Sequence, residues 1–285
     1  MVYYIGSIEK NKNNGETLRF YDKLEKEEYE KLDNAYCTLK QFTSIYNYYK
    51  MVEENRKELY KAIKKSKTNE EISCANYMSY EKSTVYNINR LTINFVGIFY
   101  SYINNIEYDI NHKYGKKSLY YEKFQEITNR YFEYNFEYRF LYRLRNYCIH
   151  HDLPINQINY TIGTKLKDFA INSNILMEHP EEWKHLETDF MSRKTISLYD
   201  VVNNFQNLLL NFNKEISLIN KNEIVAAMLL LARYIYIPLD NTLLIMAESE
   251  EKLNNFDRIV ISNFSEIAHY TEYILDELGI SYTIK

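Results

Sequence analysis

The run Tyr138-Arg139-Phe140-Leu141-Tyr142-Arg143-Leu144-Arg145-Asn146-Tyr147-Cys148-Ile149-His150-His151, closed by Asp152-Leu153-Pro154-Ile155, decides how this chain is read. Its apolar spacing predicts a helix, and Pro154 stops it, because proline lacks an N–H and drives the residue before it out of the α region. At ~100° per residue, Leu141, Leu144 and Cys148 fall on one narrow stripe, the predicted core face. Arg139, Arg143, Asn146 and His150 line up opposite, at i, i+4, i+7 and i+11. Arg145 falls between the two stripes. Its long stem can swing toward His150, but ideal geometry does not put it there. Polar groups gathered where a helix meets a loop are a common way to build a site.

The core of this run resembles the signature of the HEPN superfamily: an arginine, usually followed by a polar residue, then a few variable residues and a histidine. Here it reads Arg145-Asn146-Tyr147-Cys148-Ile149-His150, with asparagine in the favoured second place. The Tyr-, Phe- and Leu-rich helix before it and the Leu153-Pro154-Ile155 after it also look like members of that family. The resemblance covers roughly residues 70–155 and says little about the two ends.

The resemblance implies a helical bundle and a metal-independent endoribonuclease with no cofactor. A base would take the proton from a ribose 2′-OH, which attacks the adjacent phosphate and leaves a 2′,3′-cyclic phosphate and a 5′-OH. His150 suits the acid–base role because an unperturbed imidazole titrates near ~6.5. Arg145 suits the phosphate, since a guanidinium stays charged and binds two oxygens at once. It would also stabilise charge building on phosphorus. Asn146 would bind the phosphate or orient His150. Arg143, Arg139 and His151 are the expected contacts to the RNA backbone, with His151 alternatively a helix cap. The family usually shares its site across a homodimer, which would let Arg145 meet a histidine of the other copy. Many members act as toxins in abortive infection or with an antitoxin, so a defence role and such a partner are implied here.

Two other readings stand beside this one. The same arginine face could grip RNA, a nucleotide or a protein without cleaving anything. Alternatively, arginine and histidine at a helix C-terminus serve only to cap the last carbonyls and complement the macrodipole.

Working outward, hydrophobic residues make up 46% of the 285 and aromatics 16%, while only 3 Pro and 6 Gly punctuate the chain. That scarcity favours long helices over an all-β fold. The 30 Tyr accompany abundant Asn, Lys and Ile, as in A+T-rich coding, so they are not read as a base-stacking platform. A net charge of −4 excludes a globally basic nucleic-acid binder and leaves only a local basic patch, which Arg139, Arg143 and Arg145 would supply. Cys37, Cys74 and Cys148 are far apart and odd in number, which suits a reducing cytoplasm and small core residues rather than a disulfide framework. Met1–Gly6 lacks the basic and apolar regions of a leader, and no window approaches ~18 uninterrupted apolar residues, so neither signal peptide nor membrane contact is expected.

The chain therefore predicts a mainly α fold, a HEPN-like helical bundle with small β-hairpin additions at the N-terminus and after the motif helix. It reads as one domain: an N-terminal hairpin over 2–21, a helical core over about 23–236 with a β insertion near 156–173, and a C-terminal extension over 237–285. Within it a helix is predicted from Lys23 to about Lys65, and Thr68-Asn69-Glu70-Glu71 resembles the cap of a second that runs to Tyr114 and ends at Gly115. Asn87, Asn89, Arg90 and Asn94 cluster midway along it; the resemblance, in which the corresponding helix packs against the motif helix, implies Arg90 or Asn94 at the cleft between them, with a solvent-facing Arg90 as the alternative. A third helix, Leu119 to about Arg130, leads through a kink into the motif helix, where Glu137 sits close enough in sequence to shield the arginines. The hairpin after the motif is expected to pair with the N-terminal one. Pro180 opens a helical turn with Trp183 as core anchor. The spacing of His179 and His185 puts them on different faces, so no metal site is expected of them with Glu181 and Glu182. Ser192 or Ser197 caps an amphipathic helix over Leu198–Asn220. The apolar Ala226–Ala232 reads as a buried central helix. Two short strands, Leu243–Met246 and Arg258–Ile261, precede a last helix ended by Gly279. P-loop, G-x-G-x-x-G, CxxC, HExxH and G-x-S-x-G motifs are all missing.

Overall fold

Strand and helix order follows the periodicity of the sequence closely. The computed structural model describes residues 1–10, 16–68, 77–155, 157–160, 167–234, 242–254 and 260–281. The elements are β1 (Val2–Lys10), β2 (Glu16–Leu24), α1 (Lys26–Thr68), α2 (Tyr77–Tyr114), α3 (Leu119–Tyr134), α4 (Phe136–His150), β3 (Gln157–Tyr160), β4 (Lys167–Asn172), α5 (Ser173–Leu176), a 3₁₀ turn (Pro180–Trp183), α6 (Glu187–Ser192), β5 (Thr195–Ser197), α7 (Leu198–Leu218), α8 (Lys221–Ala232), β6 (Leu243–Ala247), α9 (Glu250–Asn254), β7 (Val260–Asn263) and α10 (Phe264–Glu277). The protein is mainly helical, with small antiparallel sheets. The cap predicted at Thr68–Glu71 lies largely outside the described residues.

Two compact units divide the chain: Met1–Tyr46 with Asn220–Lys285, and Asn47–Ile219. The N-terminal hairpin and the C-terminal extension build one unit together. In that unit the sheet order is β2-β1-β6-β7. Strand β1 pairs antiparallel with both β2 and β6. Gly6 sits where the β1–β2 register shifts, and a Cβ there would meet the Arg19 carbonyl oxygen at 2.3 Å, so only glycine fits. Leu243, Ile245 and Ala247 of β6 form an apolar cluster with Leu253 of α9. Helix α8 is not the fully buried helix predicted from its composition: Ile224, Ala227, Met228 and Leu231 are buried, whereas Ala226 is exposed.

In the other unit α2, α3, α4 and α7 pack as a bundle. The α2 stripe of Ile88, Leu91, Phe95, Phe99, Tyr102, Ile106 and Ile110 is buried throughout, as its helical spacing predicts. Phe205 lies edge-on to Phe95 and Phe99, at 5.7 and 4.9 Å between ring centroids. Gly115, at φ +83, ends α2. Ser118 and Ser197 cap α3 and α7 by accepting the Tyr121 and Asp200 N–H groups. Arg56 is buried and donates two hydrogen bonds to Glu53, so a charge placed mid-core is neutralised within one helical turn.

The hairpin after the motif helix forms, but its partner differs from expectation. β3 and β4 pair antiparallel, and β4 pairs with β5 to make a separate three-stranded sheet, while the N-terminal hairpin pairs with β6. Cys148 is half-buried and Cys37 is exposed; Cys74 lies outside the described residues. Among the described residues no helix is long and apolar enough to cross a membrane.

Candidate functional site at the end of the motif helix

The motif helix is α4, and it ends at His150, where the following Pro154 requires it to. Its core face is Phe140, Leu141, Leu144 and Tyr147, all buried. Asn135 is both the last cap of α3 and the first of α4, with extended backbone (φ −119, ψ 114). That break leaves the carbonyls of the last α3 turn without helical partners. Arg139 fills the gap: its Nη1 donates to the Phe132 and Glu133 carbonyls at 2.6 and 2.8 Å, and Nη2 donates to Asp189 at 2.7 Å. It is 12% exposed in its side chain. Arg139, read from sequence as an RNA contact, is therefore bound into the scaffold.

Arg143 and Arg145 stand differently. The guanidinium carbon of Arg143 lies 5.6 Å from the Phe132 ring centre, and its buried Nε has no hydrogen-bond partner. Arg145 stacks over Tyr100 at 4.3 Å and donates from Nη1 to the Asn146 amide oxygen at 3.0 Å. Neither guanidinium pairs with a carboxylate among the described residues. Tyr100 packs in turn on Tyr142, at 5.2 Å. A cation held flat on an aromatic face keeps its outer N–H edge for another partner.

His150 is exposed at the end of α4, flanked by the exposed Ile149 and Leu153. Arg145 and His150 are five residues apart, which separates them by about 140° around the helix. One copy of α4 therefore joins Arg145 to Asn146 through a hydrogen bond but leaves His150, which shares the Asn146 face, turned away from Arg145. His151 turns inward, stacked on His179 at 3.8 Å between ring centroids and with Nε2 3.6 Å from Glu182. His185 lies against Phe132, at 5.5 Å between ring centroids.

Asn89 is the functional neighbour that the sequence marks least clearly. It is buried in α2, accepts the Ile155 N–H at 2.8 Å and donates to the Ile155 carbonyl at 3.5 Å. It thereby pins the loop that follows His150. Arg90, in contrast, is exposed and bonded to Asn87 on its own helix, and Asn94 is exposed. Glu137 accepts from Asn204 rather than from an arginine. Tyr100 had no signal of its own among 30 tyrosines.

Beside the motif, a cavity of about 260 Å³ is lined by Glu107, Gln125, Asn129, Phe132, Tyr138 and Tyr142, among others. Burial pushes the Tyr138 and Tyr142 hydroxyls above the usual tyrosine range, so both stay protonated donors at neutral pH. Compared with known protein families, curated proteins and solved structures, the chain finds no match.

Proposed function

We propose that the protein is an endoribonuclease of the HEPN type that cleaves RNA by 2′-OH attack, with Arg145 and His150 as the catalytic pair. The observation that carries this reading is the state of Arg145: its charge is uncompensated by any described carboxylate, and it is held by Tyr100 and Asn146 at the end of a helix that finishes in an exposed histidine. An RNA phosphate is the anion such an arrangement suits. Arg145 binds the phosphate and stabilises its transition-state charge, and His150 moves the proton between the 2′-OH or the leaving oxygen and itself. Asn146 fixes the guanidinium through its carbonyl and keeps its amide N–H groups for the phosphate. Arg143 contacts the RNA backbone beside it.

Because Arg145 and His150 face different directions on one α4, the working site pairs Arg145 of one copy with His150 of another. The exposed Ile149 and Leu153 beside His150 support contact between two such ends. The same angular separation favours a second reading, in which a single copy grips RNA through Arg145 and Arg143 without cleaving it. The biological role we propose is that of a toxin-like effector in anti-phage defence.

The test is cleavage of total RNA and tRNA in EDTA by wild type, His150→Ala and Arg145→Ala, with end-group analysis. Cleavage by wild type alone, leaving 2′,3′-cyclic phosphate ends, is expected. RNA binding that depends on Arg145 without cleavage would establish the second reading. Equal cleavage by all three proteins would place the activity elsewhere and end the argument from the motif.

A further inference from the structure

Behind the motif, two histidines distant in sequence meet face to face. His151 follows the last residue of α4, and His179 precedes the 3₁₀ turn Pro180–Trp183. Their rings stack at 3.8 Å between centroids. Nδ1 of His179 lies 3.7 Å from a Glu181 carboxylate oxygen, and Nε2 of His151 lies 3.6 Å from Glu182. One ligand atom each from His151, His179 and Glu181 can be chosen so that all lie within 4.8 Å of one another. We propose that His151, His179 and Glu181 bind a divalent transition metal, zinc by preference, which ties the end of the motif helix to the 3₁₀ turn.

The ligand chemistry selects the metal. Two imidazoles and a carboxylate make a borderline donor set that suits Zn²⁺ far better than Mg²⁺ or Ca²⁺, which take oxygen ligands. Zinc bonds of about 2.0–2.2 Å put tetrahedral ligand atoms about 3.3–3.6 Å apart. The His179–Glu181 separation of 3.7 Å is nearly there already, and the remaining closure is a side-chain rotation that turns the stacked imidazoles out of parallel so that both ring lone pairs meet the ion. The side chains of His179 and Glu181 have room for it, being 39% and 59% exposed. His151 is the anchored partner, only 17% exposed.

The floor beneath the cluster is rigid. Tyr147 lies 5.6 Å from the His151 ring and 6.2 Å from that of His179, and Trp183 packs behind Tyr147 at 5.8 Å. Both are buried. A fixed apolar support that limits how the ligands turn is what a metal site needs from its surroundings. Glu182 completes the set, either as fourth ligand or as the acceptor that orients His151. The sequence hid this site because its two histidines lie on separate elements, whereas the nearer pair, His179 and His185, is spaced on different faces. The proposal does not rest on the nuclease reading, since none of its ligands belongs to the catalytic pair.

Calorimetric titration of Zn²⁺ into the chelator-treated full-length chain tests it, with Co²⁺ substitution as a spectroscopic check. Wild type is expected to bind one equivalent, to give the visible Co²⁺ absorption of a tetrahedral site, and to gain thermal stability with Zn²⁺. His179→Ala should weaken binding at least tenfold and abolish the Zn²⁺-dependent gain, Glu181→Gln should weaken it less, and His185→Ala should leave it unchanged. His179 is half-exposed, so its loss should spare the fold, which circular dichroism checks. No stoichiometric binding by wild type would overturn the proposal, as would binding that survives His179→Ala. RNA cleavage lost in His150→Ala and retained in His179→Ala would separate the fate of the nuclease reading from that of the metal.

Discussion

Arg139 of α4 bridges to Asp189 of α6 at 2.7 Å while holding the two carbonyls that the α3–α4 break leaves open. One side chain thus stabilises the junction that aims the motif helix. Replacing Arg139 with Ala removes three hydrogen bonds and leaves a partly buried carboxylate unpaired. The expected loss is about 2–3 kcal/mol, read as a lower denaturation midpoint. Asp189→Asn should lose less, because the carbonyl contacts remain. Unchanged stability of Arg139→Ala together with weakened RNA binding would instead return Arg139 to the RNA face.

Asn89 clamps both backbone groups of Ile155 from the buried side of α2. Asn89→Ala leaves a buried N–H without its acceptor, at a cost of about 1–3 kcal/mol. The more telling readout is local. Amide hydrogen exchange across residues 150–155 should accelerate in the variant, while exchange in the middle of α2 changes little. Equal acceleration throughout the unit would mean that Asn89 supports the bundle at large rather than the loop after His150.

Alkaline pH should destabilise the fold through its buried thiol and phenol groups. Burial pushes the Cys148 thiol up to about 12 and the Tyr29 hydroxyl, beside Asp33, to about 12, and it raises Tyr102, Tyr131 and Tyr138 as well. Each group keeps its proton longer in the folded chain than in the unfolded one. The unfolded state therefore binds fewer protons, and stability is full below the ordinary thiol and phenol values and falls as pH rises through about 9 to 11. Urea midpoints measured from pH 7 to 11 should decline steadily over that window. At pH 8 iodoacetamide should label the exposed Cys37 in native protein and spare Cys148, as peptide mapping will distinguish. Rapid native labelling of Cys148 would contradict its burial.

Periodicity alone was enough for much of this protein. Although the sequence leaves the α7 cap open between Ser192 and Ser197 and the structure sets it at Ser197, the α2 stripe from Ile88 to Ile110, the stop at Pro154, the turn at Gly115 and the Trp183 anchor all follow from rules that act within a few residues. So do the hairpins, since β-prone runs around a turn pair locally. Strand partners were another matter. β1 lies beside β6, more than two hundred residues later, and β4 beside β5, pairings that no rule acting within a few residues sets.

The candidate site divides in the same way. The sequence by itself determined that Arg145, Asn146 and His150 sit at the end of one helix, because helical rise and the proline stop are local and obligatory. It also determined that Arg145 and His150 diverge around that helix. Only the tertiary structure decided which charges are free: Arg139 and Arg143 share a face in sequence, yet one meets Asp189 and α3 carbonyls while the other has no acceptor among the described residues. It alone stacked Arg145 on Tyr100 and set His151 against His179. A helix dictates where its side chains point, but what they meet depends on packing between segments far apart in the chain.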